Sequence, residues 1–558
     1  MVLMHLTISA SAYDFETDGI RYTITSLTEL TVSVDGTTDA DLEQLDIPQN
    51  VEYKGKSLTV TSVKEKAFKE FKNLTSVSLP STILSIGHEA FMNDSNLQYI
   101  VLPENLSSMS MSVFENCSSL ESIIIPEGLT YIGDNLFKGC SSLRSVLLND
   151  NITGIGRYSF FGTGISELVL PISLNDIKEG AFSSSKINRI ELPNLVSVIP
   201  PRCFEDCHEL VSVELQANDI KDFAFKNCSA LINLTLPETL KSIGQEAFYG
   251  CDSLTEFTIP AEVERIEPSI IWNCSKISKL TVGKNLRSFP VENGHMYNPD
   301  RYFCKTIGSN YEYPGLISEE HLTGVKTLII DDAATAFDIG PFRFGDSFYP
   351  AFANLHLEYF YVGRTLNGTK VKGAYKQPTG RIRKLEISGF CTKNPYFYQA
   401  VDTLVLGPAF KQYNPQNLYS DSLKTIVCYS TTPPRIYDIG IDPDKAFPTE
   451  IYTDAMLYIP KGTKNAYSNA IGWRNFWNIE EFEDETTGIY DVGAIQGDLS
   501  LTTNNGIVIV NNARGDFTVR VFNLHGALIR ETKQHIIEGL GKGIYIISVN
   551  GKSFKAAL

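Results

Sequence analysis

Cysteine is the residue type in this sequence whose spacing most directly suggests chemistry. The chain has ten cysteines among 558 residues. Thiols at a fixed interval could ligate a metal, form disulfides or act as a redox pair. No C-x-x-C pair is present, and His208 beside Cys203 and Cys207 does not complete a zinc set. Most of the cysteines share one register, at multiples or near-multiples of a 21–23-residue interval: Cys117, Cys140, Cys207, Cys228, Cys251 and Cys274.

No other motif in the sequence indicates catalysis or a bound cofactor. The eight histidines are scattered and form neither H-E-x-x-H nor an i, i+4 metal pair. The G-x-S-x-G, P-loop and G-x-G-x-x-G motifs do not occur either. A net charge of −17 argues against a nucleic-acid partner, which would require a basic footprint. The sequence therefore predicts a protein that is not an enzyme, with no cofactor, no metal and no nucleic-acid partner.

The cysteines belong to a longer repeat, which is marked by one phenylalanine in each copy. A second pattern, Leu-x-x-Ile-x-Leu-Pro, follows each phenylalanine, as in LESIIIP from Leu120, and Ile-Gly follows in turn, as in Ile132-Gly133. Repeats of this length are typical of a solenoid, because each copy can bury its apolar side only against its neighbours. The phenylalanines, 21–23 residues apart, are Phe68, Phe91, Phe114, Phe137, Phe160, Phe182, Phe204, Phe225 and Phe248.

The pattern predicts where each side chain points. Ile123 and Ile125 should face into the coil and Ile124 outward, since side chains alternate along a strand. We expect the proline to end the strand, the Ile-Gly pair to return the chain, and a short turn to carry the phenylalanine into the far corner. Like side chains then form rows. Cysteines in such a row run side by side, so we interpret them as small apolar fillers with free thiols.

The combined motif, I-P-x-x-L-x-x-I-G-x-x-A-F-x-x-C-x-x-L, resembles the BspA-type leucine-rich repeats of surface proteins from host-associated anaerobic bacteria. The resemblance extends from Asn50 to about Gly283. It implies a leucine-rich-repeat solenoid, in which a parallel β-sheet is joined by short turns or helical corners. It also implies a secreted or outer-surface location and a role in adhesion.

The segments outside the regular repeats suggest the ends of the array. Residues 1–12, which end in Ala-Ser-Ala, are interpreted as the remnant of a secretory signal, with a disordered leader as the alternative. We assign 13–60 to an N-terminal β cap and 61–290 to the regular repeats. Residues 291–456 are expected to be irregular repeats with aromatic inserts, and 457–487 to be a C-terminal cap and linker.

Two features are expected towards the end of the chain. The aromatic residues that should cover the end of the core are Trp473, Phe476 and Trp477. Residues 488–558 alternate with a period of two and predict a small antiparallel β-sandwich. The phrases V-F-N-L-H-G from Val521 and L-x-x-G-I-Y-I from Leu540 resemble the C-terminal sorting domain of type IX secretion. An all-β stalk or accessory module is the alternative.

The outward positions of the strands form the candidate binding surface. Four consecutive outward residues are apolar and have a tyrosine beside them: Tyr99, Val101, Ile124, Leu147 and Val169. An exposed apolar stripe often marks a contact site, although these residue types also favour strands and a neighbouring segment could cover them. The aromatic inserts between Tyr297 and Tyr361 are a second candidate, because aromatic faces stack on sugars; burial in the core is the alternative.

These observations predict a secreted or cell-surface binding protein that is not an enzyme. Its expected partner is a host or bacterial surface protein, recognised by the repeat array in adhesion. Glycan binding through the aromatic inserts is the alternative. No apolar run is long enough to span a bilayer, so no transmembrane segment is expected.

Overall fold

The computed structural model describes residues 13–287 apart from 268 and 269, strands and short segments between 304 and 437, residues 442–482, and the strands between 500 and 557. The predicted signal remnant, 1–12, and most of the predicted linker lie outside the described residues. The chain divides into two compact units. The first comprises Met1–Ile459 and Asn465–Glu480, and the second Pro460–Lys464 and Glu481–Leu558.

Antiparallel strands form the N-terminal end of the first unit. The strand Phe15–Thr17 pairs with Ile20–Ser26, which pairs with Thr31–Thr37. The predicted β cap also contains a hairpin, in which Asn50–Tyr53 runs antiparallel to Lys56–Val63. Lys54 and Gly55 form its turn with positive φ angles of 49° and 74°, as a two-residue hairpin loop requires.

The Leu-x-x-Ile-x-Leu pattern forms parallel strands on one face of the solenoid, here called the front sheet. Each turn of the regular array contributes one segment, or rung, to this face, and Ile124 stands in register with Leu147. The rung of Val169 forms no strand and pairs with the next rung through a single bridge between Glu167 and Arg189. Ile123 and Ile125 are 3% and 2% exposed, which confirms the predicted alternation. In the first half of the array the front strands are Gln44–Asp46, Ser76–Ser78, Tyr99–Ile100, Ser122–Ile124, Ser145–Leu147, Arg189–Glu191, Ser212–Glu214 and Asn233–Leu234.

The prediction that the Ile-Gly pair forms a turn is wrong. Its isoleucine lies in a second parallel sheet, here called the back sheet. In this sheet Ile132 pairs in register with Ile155. A Cβ added to Gly87 would lie 2.5 Å from the backbone nitrogen of Glu65, so the glycine allows two turns to approach closely. The back strands of the regular repeats are Ser85–Ile86, Ser108–Met109, Tyr131–Ile132, Gly154–Ile155, Asp176–Ile177, Val198–Ile199, Asp219–Ile220, Ser242–Ile243 and Arg265–Ile266.

The phenylalanine of each repeat lies on a third side of the turn, here called the corner. Glu89 and Asn93, on either side of Phe91, have left-handed φ angles of 55° and 67°. The N–H groups of Glu89, Phe91 and Asn93 donate to carbonyl oxygens 22 residues later in the chain, at 2.8–3.3 Å. The same hydrogen bonds recur from the corner of Phe68 to that of Phe248. The corner is therefore a third hydrogen-bonded side of the solenoid.

The phenylalanine rings stack into one continuous ladder inside the corner. Successive rings are 5.2–5.9 Å apart between centroids, with interplanar angles of 25° or less. Every ring in the ladder is fully buried. Edge-on rings close both ends, Phe71 against Phe68 and Phe257 against Phe248.

The front sheet continues through the irregular half of the first unit, in agreement with the irregular repeats expected there. These rungs pair in parallel and in register up to Met456–Pro460, so the solenoid continues across the inserts. The strands are Glu256–Ile259, Lys279–Val282, Thr327–Ile330, His356–Val362, Arg381–Ile387, Phe397–Leu406, Thr425–Cys428, Met456–Pro460 and Asn478–Phe482. The short strands beside them are Cys304–Lys305, Glu312–Tyr313, Phe337–Asp338, Phe342–Phe344, Ser347–Tyr349, Leu366–Asn367, Gln412–Tyr413, Leu418–Tyr419 and Arg435–Ile436.

Short helices and aromatic rings cover the C-terminal end of this core. The helices are the 3-10 helix Pro443–Lys445, α1 at Thr449–Asp454 and α2 at Lys464–Asn469. Trp473 is fully buried, donates from Nε1 to the Pro434 carbonyl at 2.6 Å, and packs near Phe447. Phe476 is buried as predicted, but the prediction for Trp477 is wrong, since its side chain is 77% exposed. Phe476 already fills the space beside Phe447, and the side chain of the next residue points away.

The second unit contains two antiparallel sheets, in agreement with the predicted period of two. Val519, Val521 and Ile547 are fully buried there. The first sheet consists of Ser500–Asn504, Ile507–Asn511 and Ile536–Ile537. The second consists of Leu528–Thr532, Val519–Asn523, Ile544–Val549 and Lys552–Ala557. The loop parts of both phrases that resemble a sorting domain lie outside the described residues.

Candidate functional site

A stripe of apolar side chains crosses four successive rungs on the outward face of the front sheet. Val101, Ile124, Leu147 and Val169 are 77%, 67%, 61% and 87% exposed. Tyr99, beside Val101, is 53% exposed. The structure thus brings all five predicted site residues to one face. Parallel strands lie about 4.8 Å apart, so the stripe is about 15 Å long. These five residues are called the apolar stripe below.

The neighbours of the apolar stripe leave it open to solvent. Ser122 and Ser145 stand beside Ile124 and Leu147 on the same face, and their side chains are small. The Tyr99 hydroxyl donates to Glu121 Oε2 at 3.4 Å, which holds the ring at the edge of the stripe. The aliphatic side chains therefore project from a face of small and polar residues.

Polar residues mark both ends of the apolar stripe. Ser78 is the exposed outward residue on the preceding rung, and Glu191 and Glu214 follow Val169. Arg189 forms a salt bridge at 2.8 Å with Glu214 on the adjacent rung. A short apolar surface bounded by polar residues is the arrangement found at the centre of protein contact sites.

The same outward register becomes buried further along the array. Val405 and Val427 follow Ile124 in this register but are only 2% and 5% exposed. Apolar outward positions are thus covered in one part of the first unit and open in another. Strand propensity alone explains why valine occurs in this register, but it does not explain why one group of rungs stays uncovered.

The cysteine row lies inside the corner, beside the phenylalanine ladder, where the pattern placed it. Cys117, Cys140 and Cys228 are fully buried, and their Sγ atoms donate to the carbonyl oxygens of phenylalanines in the preceding turn at 3.0–3.1 Å. Burial raises the pKa of the Cys140 thiol far above its usual value, and that of Cys207 to about 12. A protonated, enclosed thiol is a poor nucleophile and a poor metal ligand.

Asp94 occupies the same register, and the sequence analysis missed it. It follows Phe91 by three residues, as Cys117 follows Phe114. The side chain is fully buried; Oδ1 accepts from the Phe71 N–H at 2.8 Å, and Oδ2 has no hydrogen-bond partner. Burial raises the pKa of this carboxyl group to about 9. Alignment of F-M-N-D with F-E-N-C within the repeat would have revealed the substitution.

A second buried ionisable side chain, Arg364, lies where the regular repeats meet the irregular ones. The Arg364 guanidinium is fully buried and donates to the carbonyls of Gly283 and Lys284 at 2.9 and 2.6 Å. Desolvation lowers its pKa, and the Asp331 carboxylate opposes that shift. Arg364 therefore joins rungs that are 80 residues apart in the chain, which is a structural role. The inserts of the second candidate, between Tyr297 and Tyr361, lie mostly outside the described residues.

Within the described part of the chain, no group of three or more histidine, cysteine, aspartate or glutamate side chains is placed to hold a metal ion. None of its helices is both long and apolar enough to cross a membrane. The described titratable groups with strongly shifted pKa values are mainly buried thiols, tyrosines and Asp94, whose shifts arise from desolvation in the core. The thiols and Asp94 face the core and not a cleft.

Comparison with solved structures finds chains that are similar to this one. Solved structures of similar fold include a leucine-rich repeat protein from Bacteroides ovatus ATCC 8483, with 19% identity, a TM-score of 0.43, and coverage of 84% of this chain and 100% of that chain. A leucine rich cell surface protein from Faecalibacterium prausnitzii A2-165 has 20% identity, a TM-score of 0.36, and coverage of 58% and 96%. The pneumococcal vaccine antigen PcpA has 17% identity, a TM-score of 0.40, and coverage of 67% and 93%.

The search of curated proteins finds no match. The sequence family described as "BspA type Leucine rich repeat region" matches in six copies, over residues 61–187 and 175–293. These limits contain the phenylalanine ladder, the cysteine row and the apolar stripe. The regular array of this chain is thus built of repeats that match the BspA-type leucine-rich repeat family.

Proposed function

We propose that this chain is a non-enzymatic protein of the cell exterior that recognises other proteins through the apolar stripe. The observation that carries the proposal is the exposure of Val101, Ile124, Leu147 and Val169 on successive rungs of the front face. Exposed aliphatic side chains in a contiguous row are unfavourable in water unless a partner covers them. The match to BspA-type repeats supports the part of this proposal that assigns an adhesive role and an outer-surface or secreted location.

The stripe has the physical properties of a recognition surface. Burying one aliphatic side chain of this size contributes about 1.5–3 kcal/mol, and part of the total is offset by the loss of rotational and translational freedom. The backbone at the two central rungs of the stripe is held by parallel pairing and by the buried Ile123 and Ile125, so little conformational entropy is lost there on binding. The polar ends supply specificity, since a partner must match their charges.

Binding to a panel of purified extracellular-matrix and bacterial surface proteins tests this proposal. The full chain is immobilised, and affinity is measured by surface plasmon resonance for the wild type and for the Ile124→Ser/Leu147→Ser double variant. We expect at least tenfold weaker binding of the double variant, because central apolar contacts dominate such interfaces. Unchanged affinity would contradict the proposal.

Ile232→Ser is the matched control. Ile232 is 53% exposed on the same sheet but lies outside the apolar stripe. It should leave affinity unchanged, and circular dichroism should report the same fold for all variants. A glycan array probed with the same proteins examines the alternative of sugar binding: signal that survives the double variant would favour the aromatic inserts.

A further inference from the structure

We propose that a partner of the apolar stripe is a second copy of this chain, bound face to face with the two solenoid axes antiparallel. The inference rests on the proposed function, since it uses the same face and names a partner for it. Its twofold axis lies parallel to the strands and passes between the rungs of Ile124 and Leu147. Three features of the face lead to this pairing: its period, its order of apolar residues and its charges.

The period of the stripe matches another stacked sheet. Its side chains repeat along the solenoid axis at the distance between parallel strands, about 4.8 Å. A single extended peptide lying along that axis would present same-side residues every 6.4–6.8 Å or so, and would lose register within a few residues. The outward face of another solenoid has the same 4.8 Å repeat, so its rows can meet these rows over several rungs.

The order of residues along the stripe is symmetric about its centre. A twofold axis along the strands reverses the order of the rungs but keeps each position along the strand. Ile124 then faces Leu147 of the second copy, and Val101 faces Val169. The small residues Ser122 and Ser145 face each other in the same way. All four aliphatic residues of each copy are covered by aliphatic residues of the other.

The charges beside the stripe are complementary under the same operation. Glu121 and Arg144 occupy one register, one residue before Ser122 and Ser145, and both are exposed. The twofold axis places Glu121 of each copy opposite Arg144 of the other. Among the described residues Arg144 has no ion-pair partner within its own chain. Tyr99 likewise faces Glu167, so its hydroxyl meets a carboxylate.

Other positions of the axis are unfavourable. An axis on the rung of Ile124 places Glu121 opposite Glu121, and an axis on the rung of Leu147 places Arg144 opposite Arg144. Like charges directly opposed across an interface are repulsive. An axis one rung nearer the N-terminus puts Ser78 against Leu147. Of these four axes, only the one between the rungs of Ile124 and Leu147 matches both the charges and the apolar residues.

The contact area indicates a weak pair. Four rungs with their outward positions cover roughly 300 Å² of each copy, from strand spacing and rise, whereas a stable interface buries about 800 Å² per partner. We therefore expect a dissociation constant on the order of 10⁻⁴ M, typical of small transient contacts. Copies displayed side by side on one surface would associate more strongly, since a second contact becomes effectively intramolecular.

Sedimentation velocity of the full chain between about 10 µM and 1 mM tests the inference. We expect concentration-dependent dimerisation, which Glu121→Arg alone or Arg144→Glu alone weakens on the order of tenfold. Mixing the two single variants should restore association, because every facing pair in the mixed dimer then has opposite charges. The Glu121→Arg/Arg144→Glu double variant should dimerise like the wild type.

Three results would each overturn the inference: a monomer at every concentration, single variants that dimerise as tightly as the wild type, or a mixture that associates no better than either variant alone. Ile124→Ser should also weaken the dimer, with Ile232→Ser as the unaffected control, and circular dichroism verifies folding. Binding to matrix proteins is measured separately. If the chain dimerises but binds no matrix protein, only the proposed recognition of other proteins is refuted. If it binds a matrix protein but does not dimerise, only the pairing with a second copy is refuted.

Discussion

At the scale of single residues, Asp94 differs from the other members of its row because it can lose a proton. The cysteines in the row are protonated thiols at any ordinary pH, since burial raises their pKa. The buried Asp94 carboxyl, with Oδ2 unpartnered, is neutral only below its raised pKa of about 9. An unfolded aspartate releases its proton near pH 3.9. Folding therefore retains a proton that the unfolded chain gives up.

This difference predicts that rising pH destabilises the repeats around Asp94. Between about pH 4 and pH 9 the folded state binds more protons, so the free energy of unfolding falls by up to about 1.4 kcal/mol per pH unit from this group. Asp94→Asn removes that dependence. Thermal unfolding of both proteins at pH 5, 6, 7 and 8 should show midpoints that diverge with pH in favour of the variant. If the midpoints of the two proteins change with pH in parallel, the Asp94 carboxyl is not protonated in the folded state.

At the scale of structural elements, the phenylalanine ladder predicts a large effect of one truncation. Phe137 is fully buried between Phe114 and Phe160, at 5.9 and 5.6 Å. Phe137→Ala should lower the free energy of unfolding by about 3–5 kcal/mol, because a cavity remains and two stacking contacts are lost. Denaturant titration followed by circular dichroism measures the loss. Phe161→Ala, at a half-buried ring outside the ladder, should cost less than about 1 kcal/mol.

The C-terminal cap predicts opposite outcomes for two tryptophans four residues apart. Trp473→Ala removes a buried ring and its hydrogen bond to Pro434, and should destabilise the protein by about 3–5 kcal/mol and promote aggregation, since a solenoid end becomes exposed. Trp477→Ala removes an exposed ring and should change stability by about 0.5 kcal/mol or less. Differential scanning calorimetry and light scattering compare the two. Equal effects would contradict this assignment of the cap.

Sequence reasoning was most successful for elements whose period is strict. The alternation around Ile124 and the phenylalanine corner follow from repeated apolar positions, because only one stacking satisfies all copies. It was wrong for the Ile-Gly pair. Glycine favours turns in general, but Gly87 is needed because the backbone of Glu65 in the neighbouring turn approaches it too closely for a Cβ atom. That contact is between residues distant in the repeat and is not visible in the local sequence.

The candidate site was accessible to sequence reasoning only in part. Outward direction follows from alternation, so the positions of Tyr99 and Ile124 could be predicted. The solvent exposure of these positions could not be predicted, because Val405 lies in the same sequence pattern and is buried. Trp477 shows the same limit: an aromatic residue near a cap does not disclose which of two neighbours fills the space. Asp94 was missed because a single exception in a row carries no periodic signal.

At the scale of the whole repeat array, stability should depend on neighbours. Each rung contacts only the next, so a weak rung lowers the stability of its neighbours first and divides the array into separate folding segments. Arg364 is an exception, since it joins distant parts of the chain across the irregular region. The apolar stripe lies in the most regular segment, where the phenylalanine ladder is uninterrupted.

The corner also gives the array an electrical polarity. Its peptide groups, hydrogen-bonded turn to turn from Phe68 to Phe248, all direct their carbonyls towards the N-terminal end. Aligned peptide dipoles add, as in an α-helix, but here the negative pole lies at the start of the chain. The first corner, in a protein of net charge −17, contains Lys64, Lys66, Lys69 and Lys72. These cations stand at the pole that attracts them, as basic residues do in the last turn of a helix.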